Sequence, residues 1–209
     1  MRSYHQYCGL AKALDVIGDR WTLLIVRELL LRERCRYSDL RNGLPGIATN
    51  LLADRLRDLE EAGIVSREEA PPPVATTVFR LTSRGRELEP VVHQIGRWGG
   101  PLVRKRSRND TFCSHWIGLP ARLHLTDHAP ERPPIAIELR CGDAPMVIET
   151  VDGEVQVREG AASHPDVVLA GTPEVIVGVL TGKVTIAEAQ RSGLRHKGNL
   201  NALRRVLPR

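Results

Sequence analysis

Four thiols, seven imidazoles and an excess of guanidinium groups are the side chains of this 209-residue chain best suited to chemistry. Cys8, Cys35, Cys113 and Cys141 lie far apart and form no C-x-x-C pair, which argues against a disulfide framework and against a cysteine-rich zinc site. Lys12 follows Cys8 by one helical turn, and a cation there would favour the thiolate. Cys8 is therefore the candidate redox sensor, with an inert buried thiol as the competing assignment. Cys35, between Arg34 and Arg36, is a second candidate; Cys113 and Cys141 read as structural. Cys113, His115, His124 and His128 carry metal-ligating atoms. However, Leu123-His124-Leu125-Thr126 reads as extended, prolines follow closely, and the spacing matches no common zinc pattern. Neither a metal nor a cofactor is expected. Gly-x-Ser-x-Gly, a phosphate-cradling Gly-rich loop and His-Glu-x-x-His are all missing from the sequence, and Glu60-Glu61 and Glu68-Glu69 are adjacent pairs rather than converging carboxylates. An enzyme is not expected.

A different chemistry, the reading of nucleic acid, is carried by residues 48–62. Wrapped at 100° per residue with Leu52 toward the core, this segment places Asn50, Asp54 and Arg57 within about 40° of the outward face. Thr49 and Ala53 fall at its margin. Asn can pair with adenine, and Arg can pair with guanine or hold a phosphate. Arg41, Arg67, Arg80 and Arg84 lie nearby in the sequence, where phosphate contact is expected. Arg55 sits near the core direction and reads as a structural ion pair at the helix edge.

The elements that must position these residues follow from periodicity. Over residues 10–31 Leu14, Ile17, Trp21, Leu24, Ile25 and Leu29 recur at helical spacing, interrupted at Gly18-Asp19, so two helices are expected. Trp21 reads as core. Tyr37-Ser38-Asp39-Leu40 opens a short helix with Ser38 placed as its cap. Gly43-Leu44-Pro45-Gly46 is a turn, and Ala48, Leu52, Leu56 and Leu59 form the stripe of a helix stopped at Gly63. Ile64-Val65-Ser66-Arg67 and Thr76 to Leu81 read as strands of a hairpin whose long tip holds Pro71-Pro72-Pro73. Leu88, Val91, Val92, Ile95 and Trp98 return to helical spacing. Helix, turn, helix and long-tipped hairpin is the winged helix-turn-helix order, in which the second helix enters a major groove about 12 Å wide.

Residues 104–115 are the linker candidate; residues 104–108 within them carry four positive charges and read as solvated, with DNA contact as the competing assignment. Beyond them the texture changes. Strands are expected at residues 135–140, 145–149, 154–158 and 165–169, with Asp152-Gly153 as a hairpin turn, then helices near 173–180, 186–191 and 200–207. The fold class is thus a mainly α winged helix-turn-helix domain over residues 1–104 and an α+β domain over 105–209. Net charge is +5, and residues 1–105 hold 17 basic against 13 acidic side chains, so most of the excess accompanies the winged half. No apolar run approaches the ~18 residues of a membrane span, and no signal-peptide pattern opens the chain, so a cytoplasmic protein without a membrane partner is expected.

The first half resembles the HxlR-type transcriptional regulators. The matching blocks are Cys8, then Ala13-Leu14-Asp15-Val16-Ile17-Gly18-Asp19-Arg20-Trp21-Thr22-Leu23-Leu24-Ile25, Tyr37-Ser38-Asp39-Leu40, Leu44-Pro45-Gly46-Ile47, Leu56-Arg57-Asp58-Leu59-Glu60-Glu61-Ala62-Gly63 and Leu81-Thr82-Ser83-Arg84-Gly85. Gly9, Arg20 and Ala75-Thr76-Thr77 depart from the usual pattern. The resemblance implies a dimeric bacterial DNA-binding regulator of MarR-like fold, with a recognition helix near 47–62 and a wing near 64–82. Its operator would be an inverted repeat in double-stranded DNA. Ser38, Arg41, Thr49, Asn50, Ala53, Arg57, Arg80 and Arg84 are then the expected DNA contacts, and Leu88, Val92, Ile95 and Trp98 the expected homodimer interface. The second half resembles the sterol-carrier-protein-2-like domain through Asp166-Val167-Val168-Leu169, Thr172-Pro173-Glu174, Leu180-Thr181-Gly182-Lys183, Ala187-Glu188-Ala189 and Lys197-Gly198-Asn199. That resemblance implies a hydrophobic small-molecule effector. The competing function is a small-molecule or lipid-binding protein that uses its winged helix for dimerisation or protein contact.

Overall fold

The computed structural model describes residues 3–69, 76–103 and 109–209. The chain divides into two compact units, Met1–Ile95 and Gly96–Arg209. The second unit begins at Gly96 rather than at residue 105. A Cβ at Gly96 would touch the Leu119 and Leu123 side chains at 3.4 Å, and Arg97 donates to the Leu123 carbonyl at 3.3 Å. Of the expected linker, 104–115, the basic residues 104–108 lie outside the described residues, and its end enters a short 3-10 turn, Ser114–Ile117.

In the first unit α1 (Gly9–Ile17) and α2 (Thr22–Arg32) are separate helices, as the Gly18-Asp19 interruption predicts. Gly18 is needed there, because a Cβ would stand 2.5 Å from the Leu14 carbonyl oxygen. The expected apolar stripe is only partly buried. Ile17, Ile25 and Leu29 enter the core, whereas Leu14 and Leu24 are exposed and Trp21 is half-buried with the Arg20 guanidinium 5.8 Å from its ring. A two-residue strand β1 (Cys35–Arg36) leads into α3 (Tyr37–Asn42). Then come α4 (Thr49–Glu61), β2 (Val65–Glu69), β3 (Thr77–Leu81), α5 (Ser83–Arg86) and α6 (Glu89–Gly99). The three strands form an antiparallel sheet in the order β1-β3-β2. Ile25, Leu29, Leu40, Leu44, Leu52, Leu59, Phe79 and Leu81 fill the space between helices and sheet. Burying each such side chain is worth roughly 1.5–3 kcal/mol.

The second unit is a mixed five-stranded sheet backed by helices. Its elements are α7 (Gly118–His124), β4 (Ala136–Arg140), β5 (Met146–Val151), β6 (Glu154–Glu159), β7 (Val167–Ala170), α8 (Pro173–Leu180), α9 (Ile186–Arg191), β8 (Arg195–Gly198) and α10 (Leu200–Val206). The strand order is β6-β5-β4-β7-β8, with β4 and β7 parallel and the other pairs antiparallel. Asp152 and Gly153 turn β5 into β6, both with positive φ (51° and 81°), as a type I′ hairpin requires. The core is continuous from Ile117, Ile137, Leu139 and Ile148 to Leu169, Ile176, Leu180 and Leu203. One sequence expectation is corrected here: Leu123 and His124 end helix α7 rather than lying in a strand.

Candidate nucleic-acid interface

Helices α3 and α4 and the turn between them are fixed from below by Leu40, Leu44, Ile47, Leu52, Leu56 and Leu59, all buried. Because these residues recur at helical spacing, α4 can expose only its opposite face. Thr49, Asn50, Asp54 and Arg57 are exposed there and Ala53 is half-buried. Ala48 precedes the helix in an extended conformation and offers no side-chain cap. The helix stops where predicted: Gly63 has φ +67°, and the next residue, Ile64, donates its N–H back to the Leu59 carbonyl at 2.9 Å.

The two helices are also joined by polar bonds. The Tyr37 hydroxyl donates to the Thr49 carbonyl at 2.5 Å. Asp19 reaches Arg55 on α4, and Arg55 also pairs with Asp58 at 2.6 Å. Arg55 is thus a structural ion pair, not an outward reader. Ser38 does not cap α3. The helix begins one residue earlier, with Arg36 in the cap position and its N–H accepted by the Asp39 carboxylate at 2.9 Å. Ser38 instead sits exposed in the first turn.

The basic residues fall into two groups. Arg41 and Arg84 are exposed, and neither has a carboxylate partner among the described residues. Arg57 lies 3.3 Å from Asp54 on the same helix face, with both side chains largely exposed. On the wing, Arg80 is held at 2.5 Å by Glu68 and at 3.4 Å by the Ser66 hydroxyl, and Arg67 lies 3.7 Å from Glu60. These pairs depend on strand register, since Ser66 faces Arg80 directly across β2 and β3. The residues of the wing tip, 70–75, lie outside the described residues.

The expected dimer residues differ in exposure. Ile95 and Trp98 are exposed (48% and 77%), Leu88 is half-buried, and Val92 is buried at 7% inside its own chain. Further apolar surface comes from Tyr4, Tyr7, Leu10, Leu14 and Val91. Cys8 is exposed directly before α1, but Lys12 points its ammonium to Asp15 at 3.5 Å. Cys35, Cys113 and Cys141 are buried. Burial, together with Asp143 and Glu174, pushes the Cys141 thiol up to about 11, which keeps it protonated and unreactive.

In the second unit an open cleft of about 720 Å³ is lined in part by Phe112, Glu138, Arg140, Asp143 and Pro173. Glu138 is buried, with its carboxylate accepting from Arg140 Nε at 2.7 Å and from the Ala162 N–H at 2.9 Å. Burial pushes its carboxyl up, and these two donors outweigh burial, so it ionises below its ordinary range. No group of three or more His, Cys, Asp or Glu converges on a metal position among the described residues. None of the helices described is long and apolar enough to cross a membrane.

Residues 16–107 match the family model described as HxlR-like helix-turn-helix. An HTH-type transcriptional regulator of Synechocystis is 34% identical over 100 residues, which are 48% of this chain and 73% of the relative. YvaP of Bacillus subtilis, also an HTH-type transcriptional regulator, is 34% identical over 87 residues, 42% of this chain and 80% of the relative. Among solved structures, the redox regulator HypR in its reduced form is 33% identical and spans 45% of this chain and 92% of its own, with a TM-score of 0.42.

Proposed function

We propose, from the premise that this chain belongs to the HxlR-like helix-turn-helix family and is a transcriptional regulator, that it is a bacterial homodimer reading an inverted-repeat operator in double-stranded DNA. The observation that carries this reading is the outward face of α4. Asn50 and Arg57 are exposed on a helix whose other face is locked into the core, as a helix entering a major groove requires. Thr49, Asn50, Ala53 and Arg57 meet base edges. Ser38, Arg41, Arg80 and Arg84 hold phosphates and set the register. Arg57 and Arg80 exchange Asp54 and Glu68 for DNA on binding.

The dimer forms through Ile95 and Trp98 of α6, supported by their exposure. Leu88 and Val92 hold α6 in place from beneath. Two-fold symmetry then places the half-sites about 10–10.5 base pairs apart, or a multiple of that. The role is regulatory rather than enzymatic, and its setting is the cytoplasm. The second unit carries the effector function. The charged lining of its cleft suits an amphipathic molecule better than a wholly apolar one. Cys8, exposed at the start of α1, is the residue through which an oxidant would act.

Selection from a pool of random duplexes tests this reading. An enriched inverted repeat, lost when Asn50 and Arg57 are both replaced by Ala, is the expected result. Recovery of sequences no different from the starting pool contradicts it.

A further inference from the structure

Beyond the basic run at residues 104–108, the net positive charge of the second unit falls in its last elements. Residues 106–188 hold seven Lys and Arg against twelve Asp and Glu; residues 189–209 hold six Lys and Arg and no carboxylate side chain. The fold brings part of this run to one edge of the sheet. Strand β8 is the outermost strand beside β7, and all four of its residues, Arg195 to Gly198, are exposed. Its register pairs Val168 with Lys197 and Ala170 with Arg195. Val167 and Leu169 point into the core, so Arg195 and Lys197 share the face of the sheet turned away from it. Arg191, at the end of α9, precedes β8 by a short turn.

Arg191 lies within electrostatic reach of Glu188, whereas the two strand cations stand apart from carboxylates. Among the described residues, Arg195 and Lys197 have no carboxylate partner. The His196 ring meets the Gln190 amide at 3.3 Å. Glu138, two strands away on the same face, is buried and already occupied by Arg140 and the Ala162 N–H. Asp166 accepts from the Ala136 N–H, and Glu188 caps its own helix through Thr185. Charged side chains on an edge strand also block strand-to-strand aggregation, but either sign serves that purpose. The opposite edge, β6, shows the contrast: it mixes Glu154 and Glu159 with Arg158, and Arg158 pairs with Glu149 at 2.9 Å.

We infer that the β8 edge is a second DNA-binding surface, one that holds phosphates without reading sequence. Two cations at i and i+2 on a strand lie roughly 6.6–6.8 Å apart and present a rigid row to a polyanion. Arginine's fork fits phosphate oxygens, and each phosphate neutralised releases counterions. DNA is the polyanion this chain meets, a step that rests on the function proposed above.

The experiment uses the full chain and duplexes carrying its own upstream DNA, with anisotropy followed over a series of salt concentrations. The double variant Arg195→Ala and Lys197→Ala is expected to weaken binding to all duplexes alike and to make the slope of log K against log salt shallower by about two. Arg195→Lys with Lys197→Arg retains the wild-type slope. A slope unchanged in the alanine variant overturns the inference while leaving the operator-reading function intact. Absence of wild-type binding to any duplex overturns both. Wild-type binding to vesicles rich in phosphatidylglycerol, lost in the alanine variant while its DNA slope stays unchanged, assigns the edge to lipid instead. Equal thermal unfolding of variant and wild type confirms that only the surface has changed.

Discussion

The Tyr37 hydroxyl donates to the Thr49 carbonyl at 2.5 Å, so the first residue of α3 is tied to the first residue of α4 across the turn. This bond and the Arg55 link to Asp19 set the angle at which α4 leaves the core. A helix held this way arrives at a groove already oriented, and binding costs less ordering. Tyr37→Phe keeps the ring and removes the donor. The expected cost is about 1 kcal/mol in urea unfolding, with a loss of operator affinity and no change in preferred sequence. Affinity equal to wild type would show that the turn needs no such tie.

Arg57 stands beside Asp54 at 3.3 Å, and both are exposed. Arg57→Ala is expected to cost ~1–3 kcal/mol of operator binding and to relax preference at one base position, read by competition among single-base operator variants. A uniform loss with a shallower salt slope reassigns Arg57 to phosphate. Asp54→Asn removes the competing carboxylate and strengthens binding to all duplexes.

Trp98 is 77% exposed and Ile95 48% in the single chain. Replacing both with Ser is expected to shift the protein from dimer to monomer in sedimentation. A half-site duplex still binds, while affinity for the full inverted repeat drops. A double variant that stays dimeric moves the interface elsewhere.

In the second unit Arg205 grips Asp127 at 2.7 Å through both Nε and Nη2, and both side chains are almost wholly buried. Arg205 also donates to the Pro133 carbonyl, so it ties α10 to the loop before β4. Its bond holds the Asp127 carboxyl below the usual range, more than offsetting burial. Because the folded value is the lower one, this stabilisation is complete above the unfolded value of about 3.9 and is lost as pH falls through the folded one. Arg205→Ala is expected to destabilise the unit by about 3–5 kcal/mol at neutral pH. Asp127→Asn should flatten the acid limb of a stability-against-pH curve. An unchanged acid limb would place the pH dependence on other carboxylates.

Much of the interface is legible in the sequence, because Leu52, Leu56 and Leu59 repeat at helical spacing and thereby dictate which residues face outward. The hairpin strands and the Asp152-Gly153 turn are legible for the same kind of local reason. What the sequence hides is set by distant partners. β1 is two residues long and exists only because it pairs with Phe79 and Val78. β8, Arg-His-Lys-Gly, has no apolar alternation and is a strand because β7 beside it offers a ladder. α7 contains Pro120 and runs into a Leu-His-Leu alternation that imitates a strand, yet Ala121 within it and Ile117 just before it are buried. The pairing of Arg80 with Glu68 depends on register across a hairpin. Arg80 therefore reads as a free phosphate ligand until the strands are aligned.

The central claim, that α4 reads DNA sequence, is tested most directly by an anisotropy titration. The full chain is measured against its own upstream region and against shuffled duplexes of equal length at fixed physiological salt. The account predicts a preference of roughly 10³-fold or more for the upstream site, reduced toward one when Asn50 and Arg57 are replaced by Ala. Equal affinity of the wild type for native and shuffled duplexes would contradict it.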